Sequence, residues 1–307
     1  MANEGRRTED ALERILQEIV GEKKRARRWN NFFRLLFFVF LFVLFFSGPK
    51  LVEPTIYPRQ HTAILEIKGI IGVKGGVLAE DVQESLKTIA ANQDKVRGLI
   101  LKINSPGGSA AQAEAIYDAI LQFKKEHANI PVYAVAEDLC ASGGYYIAAA
   151  ANKIYVSPAS LVGSIGVIMS GFGFTGTMEK LGIERRLLTA GENKAFLDPF
   201  SPMNEAQKAH ALKMLEQIHQ RFIADVKKGR GERLKDDPTI FSGLIWTGEE
   251  SIQLGLADEL GSTAKVARDV IGVEKAVDYT KHLSLPERLL ETVSHTIAQE
   301  MLTLRVQ

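Results

Sequence analysis

Strand-like and helical runs alternate along most of this chain, and that alternation restricts the fold more than any other feature. The strand-like runs cover 61–72, 96–104, 131–136, 153–156, 161–169 and 185–189, and the helical runs 79–91, 110–126, 142–151 and 203–228. Parallel strands need crossover connections where antiparallel ones need only a hairpin, so this order predicts an α/β sheet of βαβ units. The stretch from 61 onward is long enough for one sizeable core. The 203–228 helix carries Leu212, Leu215, Ile218, Phe222 and Val226 at helical spacing, with Pro202 and Asn204 as start signals. Leu289, Leu290, Val293, Ile297, Met301 and Leu304 stripe a further C-terminal helix, suited first to core packing and second to a subunit contact.

Two strand-to-helix junctions carry chemistry. One is Cys140-Ala-Ser-Gly-Gly-Tyr-Tyr146, where Ser142 stands at the first turn of a helix and two glycines leave room for a substrate carbonyl. Backbone N–H groups at a helix start favour developing negative charge. The bland reading is an N-cap serine. The other junction is Asn104-Ser-Pro-Gly-Gly-Ser109, after the apolar run 96–103. Consecutive parallel strands would put both junctions on one sheet edge, where Gly108 and Gly143 can supply the two donors of an oxyanion hole.

A serine hydroxyl needs a general base. None of the six histidines stands in a pattern that pairs with Ser142, and Gly-x-Ser-x-Gly is absent around it. Lys194 follows the 185–189 run in an irregular, partly apolar segment and is the better candidate. An ordinary lysine, with pKa ~10.4, is neutral in only about 4 in 10,000 copies at pH 7. Burial that brings the value to roughly 7 raises that fraction about a thousandfold.

The order Asn104-Ser-Pro-Gly-Gly108, Ala141-Ser-Gly-Gly-Tyr-Tyr146, Gly163-Ser-Ile-Gly166, Lys194 resembles the bacterial signal peptide peptidase A family, over about 61–272. The resemblance implies the Clp protease/crotonase fold and a Ser-Lys serine protease. It makes Ser142 the nucleophile, Lys194 the general base and Ser164 the serine that orients the lysine. Gly143 becomes an oxyanion donor, and Gly108 the second by analogy with the wider fold. The family also has a double-length form whose dyad is divided between its halves. This chain has one copy of each motif, so a homo-oligomer with the active site shared between subunits is expected by that analogy. Implied substrates are remnant signal peptides and other apolar peptides.

Eight of the fifteen phenylalanines fall between Phe32 and Phe46. Eighteen residues from Trp29 to Phe46 make about 27 Å of helix, enough for one transmembrane pass with Arg34 near the interface. Lys23, Lys24, Arg25, Arg27, Arg28 and Arg34 crowd one flank against Lys50 and Arg59 on the other. The N-terminus is therefore expected in the cytoplasm and the catalytic part in the periplasm or outside. Leu44-Phe-Phe-Ser-Gly48 offers no small-x-small cleavage site, which favours a retained anchor in the cytoplasmic membrane over a cleaved signal. The expected domains are a basic segment over 1–28, the anchor over 29–48, a linker over 49–60, and the peptidase domain with a helical extension over 61–307.

Residues 1–60 hold 11 Lys+Arg against 7 Asp+Glu, and the rest 27 against 30. The basic excess belongs to the membrane flank and anionic lipid, and a slightly acidic remainder gives no reason to expect nucleic acid. Gly171-Phe-Gly-Phe-Thr-Gly176 spells a dinucleotide fingerprint, yet only a short helical stretch follows before Gly182. No metal or nucleotide cofactor is expected. The single cysteine, Cys140, reads as a small buried residue. Three other functions fit parts of the pattern: a membrane Ser-Lys protease acting on a stomatin-like partner, a crotonase-type acyl-CoA enzyme, and a catalytically silent membrane scaffold.

Overall fold

The computed structural model describes residues 21–25, 27–42 and 60–281. The chain divides into two compact units between Ile56 and Tyr57. Of the first unit, 21–25 and 27–42 are helical, the latter being α1. Every side chain from Leu35 to Phe42 is apolar and at least 41% exposed. Among the described residues no helix is long and apolar enough to cross a membrane. The expected anchor continues into 43–48, outside the described residues, as does the stripe from Leu289 to Leu304.

The second unit is built on an eight-stranded sheet. In chain order its elements are β1 (His61–Lys68), α2 (Ala79–Ala91), β2 (Val96–Ser105), α3 (Ala110–Glu126), β3 (Val132–Ala141), α4 (Gly143–Ala148), β4 (Lys153–Val156), β5 (Leu161–Gly163), α5 (Thr175–Lys180), α6 (Glu205–Arg230), β6 (Ile245–Thr247), α7 (Gly248–Gln253), β7 (Glu259–Leu260), α8 (Thr263–Lys265) and β8 (Ala276–Asp278). The strand order is β6-β5-β3-β2-β1-β8, and β4 also pairs with β3 and carries β7. Every pairing is parallel except β5–β6. This is the expected α/β sheet.

A sheet covered on both faces needs strands that are apolar throughout, and β2 provides one, with Leu99, Ile100 and Leu101 all fully buried. Leu65, Ile67, Leu101 and Ile103 face a core closed by α2, α3 and α4. On the opposite face Ile100, Val135 and Tyr155 are covered by Val266 and Ala267, in the turns that follow α8.

Two expected strands are corrected. The run 161–169 leaves the sheet after Gly163, and 185–189 forms no strand. Leu188 is 97% exposed, and with no neighbouring strand β-propensity has nothing to act on. Gly171, Gly173 and Gly176 have open space around them; the first two precede the six-residue α5 and Gly176 is in its first turn, not between a strand and a crossover helix.

Candidate active site

The register of β2 on β3 sets Ser105 opposite Cys140, so the chain leaves both strands side by side at one edge. From β2 it turns through Pro106-Gly107-Gly108 into α3, whose N-cap Ser109 accepts from the Gln112 N–H. From β3 it turns at Ser142 into α4.

Ser142 has φ 52° and ψ −122°, outside the extended region that N-caps adopt, and its hydroxyl makes no capping bond. The N-cap reading therefore falls. Such a backbone costs a non-glycine residue about 1–3 kcal/mol and persists only where its surroundings fix it. Here the Ser142 N–H donates to the Gly163 carbonyl at 2.8 Å, and the Ser142 carbonyl accepts from the Tyr146 N–H at 2.9 Å. Among the described non-glycine residues only Ser142, Ser164 and Leu197 have positive φ.

The glycine packed against Ser142 is Gly107. A methyl at Gly107 would stand 2.7 Å from both the Gly143 nitrogen and the Ser142 Cβ. A methyl at Gly108 would instead stand 2.2 Å from the Ile71 carbonyl oxygen. Ile71 bridges this turn, donating to the Gly107 carbonyl and accepting from the Ser109 N–H, both at 2.9 Å. The Gly107 N–H donates to Ser105 Oγ at 3.1 Å, and that hydroxyl donates to the Gly69 carbonyl at 2.6 Å. The N–H groups of Gly108 and Gly143 have no acceptor among the described residues.

Ser164 (φ 54°) follows directly from the carbonyl that holds Ser142. Its N–H donates to the Leu244 carbonyl at 2.7 Å, which ties the turn to the approach of β6. Trp246 packs on Gly163, where a methyl would come within 2.9 Å of the indole Cδ1. The carbonyls of Gly163 and Leu244 position both serines, and nothing in the side-chain pattern could have revealed them.

Behind the site, α4 is wholly buried. The Tyr145 hydroxyl donates to the Leu256 carbonyl at 2.8 Å, and the Tyr146 hydroxyl to Asp225 Oδ2 at 2.5 Å. Burial pushes both phenols up in pKa, and for Tyr146 the Asp225 carboxylate adds to it, so both remain donors. Burial likewise pushes the Cys140 thiol up to about 12, and it is inert packing.

Lys194 is not joined to Ser142 within the chain. It is exposed, and neither its ammonium nor the Ser142 and Ser164 hydroxyls hydrogen-bonds to any group among the described residues. Its turn rests on α6: Gln207 Nε2 donates to Asn193 Oδ1, and Gln207 Oε1 accepts from the Leu197 N–H, both at 3.2 Å. No group of three His, Cys, Asp or Glu side chains among the described residues could hold a metal.

The family model for peptidase family S49 matches residues 124–277, and that for Clp protease matches 64–167. The chain belongs to peptidase family S49. A protein of Brucella melitensis named as the Na(+)/H(+) antiporter NhaA is 46% identical over 238 residues, which are 74% of this chain and 32% of its own length. An Enterococcus faecium relative carries the name of a signal peptide peptidase, SppA, with 31% identity over 61% of this chain and 54% of its own. The chloroplastic serine protease SPPA of Arabidopsis thaliana is 27% identical over 75% of this chain and 33% of its own. The chain thus spans about a third to a half of the length of these relatives. Among solved structures, a lysine-to-alanine mutant of the 1510-N membrane-bound stomatin-specific protease with a substrate peptide aligns over 77% of this chain and 99% of its own. That alignment has 16% identity and a TM-score of 0.41.

Proposed function

We propose that this chain is a membrane-anchored serine endopeptidase that degrades remnant signal peptides and other apolar peptides through Ser142 and Lys194. The observation that carries the reading is the Ser142 backbone, held at φ 52° with an uncapped hydroxyl against Gly107 and Gly143. A neutral Lys194 takes the Oγ proton as Oγ attacks the scissile carbonyl, and the Gly108 and Gly143 N–H groups receive the oxyanion. Collapse expels the amine, which takes the proton back from Lys194 and leaves an acyl-enzyme. Lys194 then deprotonates water for deacylation, and Ser164 orients the lysine.

A lysine serves as base once water is withdrawn from it. In one chain Lys194 is exposed, so a neighbouring copy must cover it. The segment around it favours that partner, with Ile168 at 88%, Phe172 at 82% and Leu188 at 97% exposure. Gln207, which holds the Lys194 turn, and Asp225, which holds Tyr146, are five turns or about 27 Å apart along α6. We therefore assign Ser142 and Lys194 of each working site to different copies in a homo-oligomer.

The apolar stretch 35–42 of α1 and the basic residues that precede it support anchoring in the cytoplasmic membrane, with the N-terminus cytoplasmic and the catalytic unit periplasmic or outside. A chain lacking residues 1–46 should leave the membrane fraction at alkaline pH, where the full chain stays.

The test is hydrolysis of a fluorogenic signal-peptide sequence by the full chain. Ser142→Ala and Lys194→Ala should each be silent while still assembling. Co-assembled one to one, they should recover about a quarter of wild-type activity, because random pairing unites an intact serine with an intact lysine at about one site in four. Activity in Lys194→Ala would remove the lysine from the mechanism. A silent mixture of assembled variants would place both residues of the dyad in one chain.

A further inference from the structure

The conformation of Ser142 has to be held, and one of the groups holding it comes from a helix distant in sequence. Tyr146 bonds to Ser142 through its backbone, N–H to carbonyl at 2.9 Å, so any movement of Tyr146 is felt in the Ser142 turn. Its ring is buried between Tyr117, at 5.3 Å between centroids, and Phe222 of α6, stacked at 4.5 Å and 13°. Stacking fixes the plane of the ring but lets it slide. The hydroxyl stops the sliding by donating to Asp225 Oδ2 at 2.5 Å.

Asp225 is built for this role. It is 4% exposed, and the same carboxylate oxygen forms an ion pair with Arg221, whose Nε lies 3.0 Å away and donates its hydrogen to Glu114 Oε1 of α3 at 2.9 Å. Its backbone carbonyl accepts from the Tyr117 hydroxyl at 3.1 Å. A buried carboxylate with a charged partner and a phenol donor makes stronger, shorter bonds than a neutral acceptor would. α3 and α4, the helices that follow the two junctions, thus converge on this one residue of α6.

We infer that Asp225 is a positioning residue for the peptidase reaction, fixing the Ser142 turn through the Tyr146 hydroxyl; this rests on Ser142 being the nucleophile. Because α6 also carries Gln207 beneath the Lys194 turn, one helix sets the attitude of the serine in its own site and of the lysine it offers to the next.

The experiment measures kcat and KM on the peptide substrate, and the rate of acylation by a fluorophosphonate probe. It uses the full chain and the variants Tyr146→Phe, Asp225→Asn, Asp225→Ala and Tyr146→Phe/Asp225→Asn, with Ser142→Ala as control. In variants with wild-type near-UV circular dichroism and assembly, kcat and acylation should fall about 10- to 100-fold at unchanged KM, the scale of a misplacement near 1 Å. Asp225→Asn, which keeps an acceptor for the phenol but loses the charge, should fall less than Asp225→Ala. The double variant should be no worse than the more impaired of its two singles, since both cut one link. A kcat within about twofold of wild type in Tyr146→Phe, or a loss confined to KM, would overturn the inference. Should Asp225→Ala fail to fold, Tyr146→Phe and Asp225→Asn decide. An active Ser142→Ala would overturn the nucleophile and this inference with it, whereas a silent Ser142→Ala beside an unaffected Tyr146→Phe overturns the brace alone.

Discussion

Gly107→Ala tests the junction at a single atom. The added methyl would stand 2.7 Å from the Gly143 nitrogen and the Ser142 Cβ, and 3.0 Å from Ser142 Oγ. Non-bonded carbons settle at about 3.5–4.0 Å, so the closest two contacts overlap by about 1 Å. Neither neighbour is the end of a flexible side chain, and the backbone must give. The φ of +97° adds a second cost, about 1–2 kcal/mol for any L side chain in the left-handed region. Gly272→Ala separates the two costs, because Gly272 has φ +81° and nothing within 4 Å of the added carbon. The control should lose only the dihedral term, lowering Tm by about 2–4 °C per kcal/mol, with turnover intact. Gly107→Ala should lose at least as much Tm and also about 10²–10³ in kcat, as the Gly143 donor and Ser142 are pushed out of line. That is about 3–4 kcal/mol of barrier. Steady-state peptide hydrolysis, fluorophosphonate acylation and calorimetry on the three proteins provide the comparison. Wild-type kcat in Gly107→Ala would refute the reasoning, since the reacting hydroxyl could not then be the one this methyl touches.

Gly229→Ala inverts the usual rule for glycine inside a helix: propensity promises a gain of about 1 kcal/mol, but the new methyl would meet the Ala149 carbonyl oxygen at 2.0 Å. Tm should fall, and a rise would show that α6 and the turn after α4 can separate freely. Asp258 receives two bonds from the buried Arg230, at 2.9 and 3.0 Å. Burial works to raise the Asp258 pKa, but the Arg230 and Ile154 hydrogen bonds outweigh it, and the net value is lowered. Its stabilisation is therefore complete above the unfolded value of about 4 and lost as pH falls through the folded value. Asp258→Asn should cost about 3–5 kcal/mol at pH 7 by stranding the guanidinium. It should also flatten the acid limb of the urea midpoint against pH; an unchanged limb would contradict this. Cys140, fully buried with its thiol pushed up to about 12, should stay unlabelled by iodoacetamide until urea unfolds the protein. Stoichiometric labelling of active native protein would place it elsewhere.

Local signals were legible where local forces decide. The helices 79–91 and 110–126 and the strand 153–156 are legible to the residue, because amphipathic spacing and apolar runs already state which side is buried. The run 185–189 misled, since Leu187 and Leu188 are apolar but no strand lies beside them. The strand expected over 161–169 stops at Gly163 because Ser164 swings to positive φ toward the Leu244 carbonyl, a contact that leaves no local trace. At the site, the order of motifs singled out Ser142 and Ser164, but their shared backbone conformation came only with the structure. Gly107 and Gly108 are indistinguishable as letters; the crossing of Ile71 decides which one faces the serine. Asp225 reads as a surface acid on a polar helix, and only the packing of Tyr146 against α6 turns it inward.

The hold of Leu244 on Ser164 also sets a clock. The carbonyl that fixes the Ser164 turn is made eighty residues later (164 to 244), and β6 behind it must then pair with β5. Contacts so far apart in sequence form late in folding. While the ribosome is still translating the chain between these points, the Ser142 motif has been synthesised but the strand that completes its surroundings has not. A chain truncated before Leu244 lacks both the carbonyl that fixes the Ser164 turn and the strand that pairs with β5.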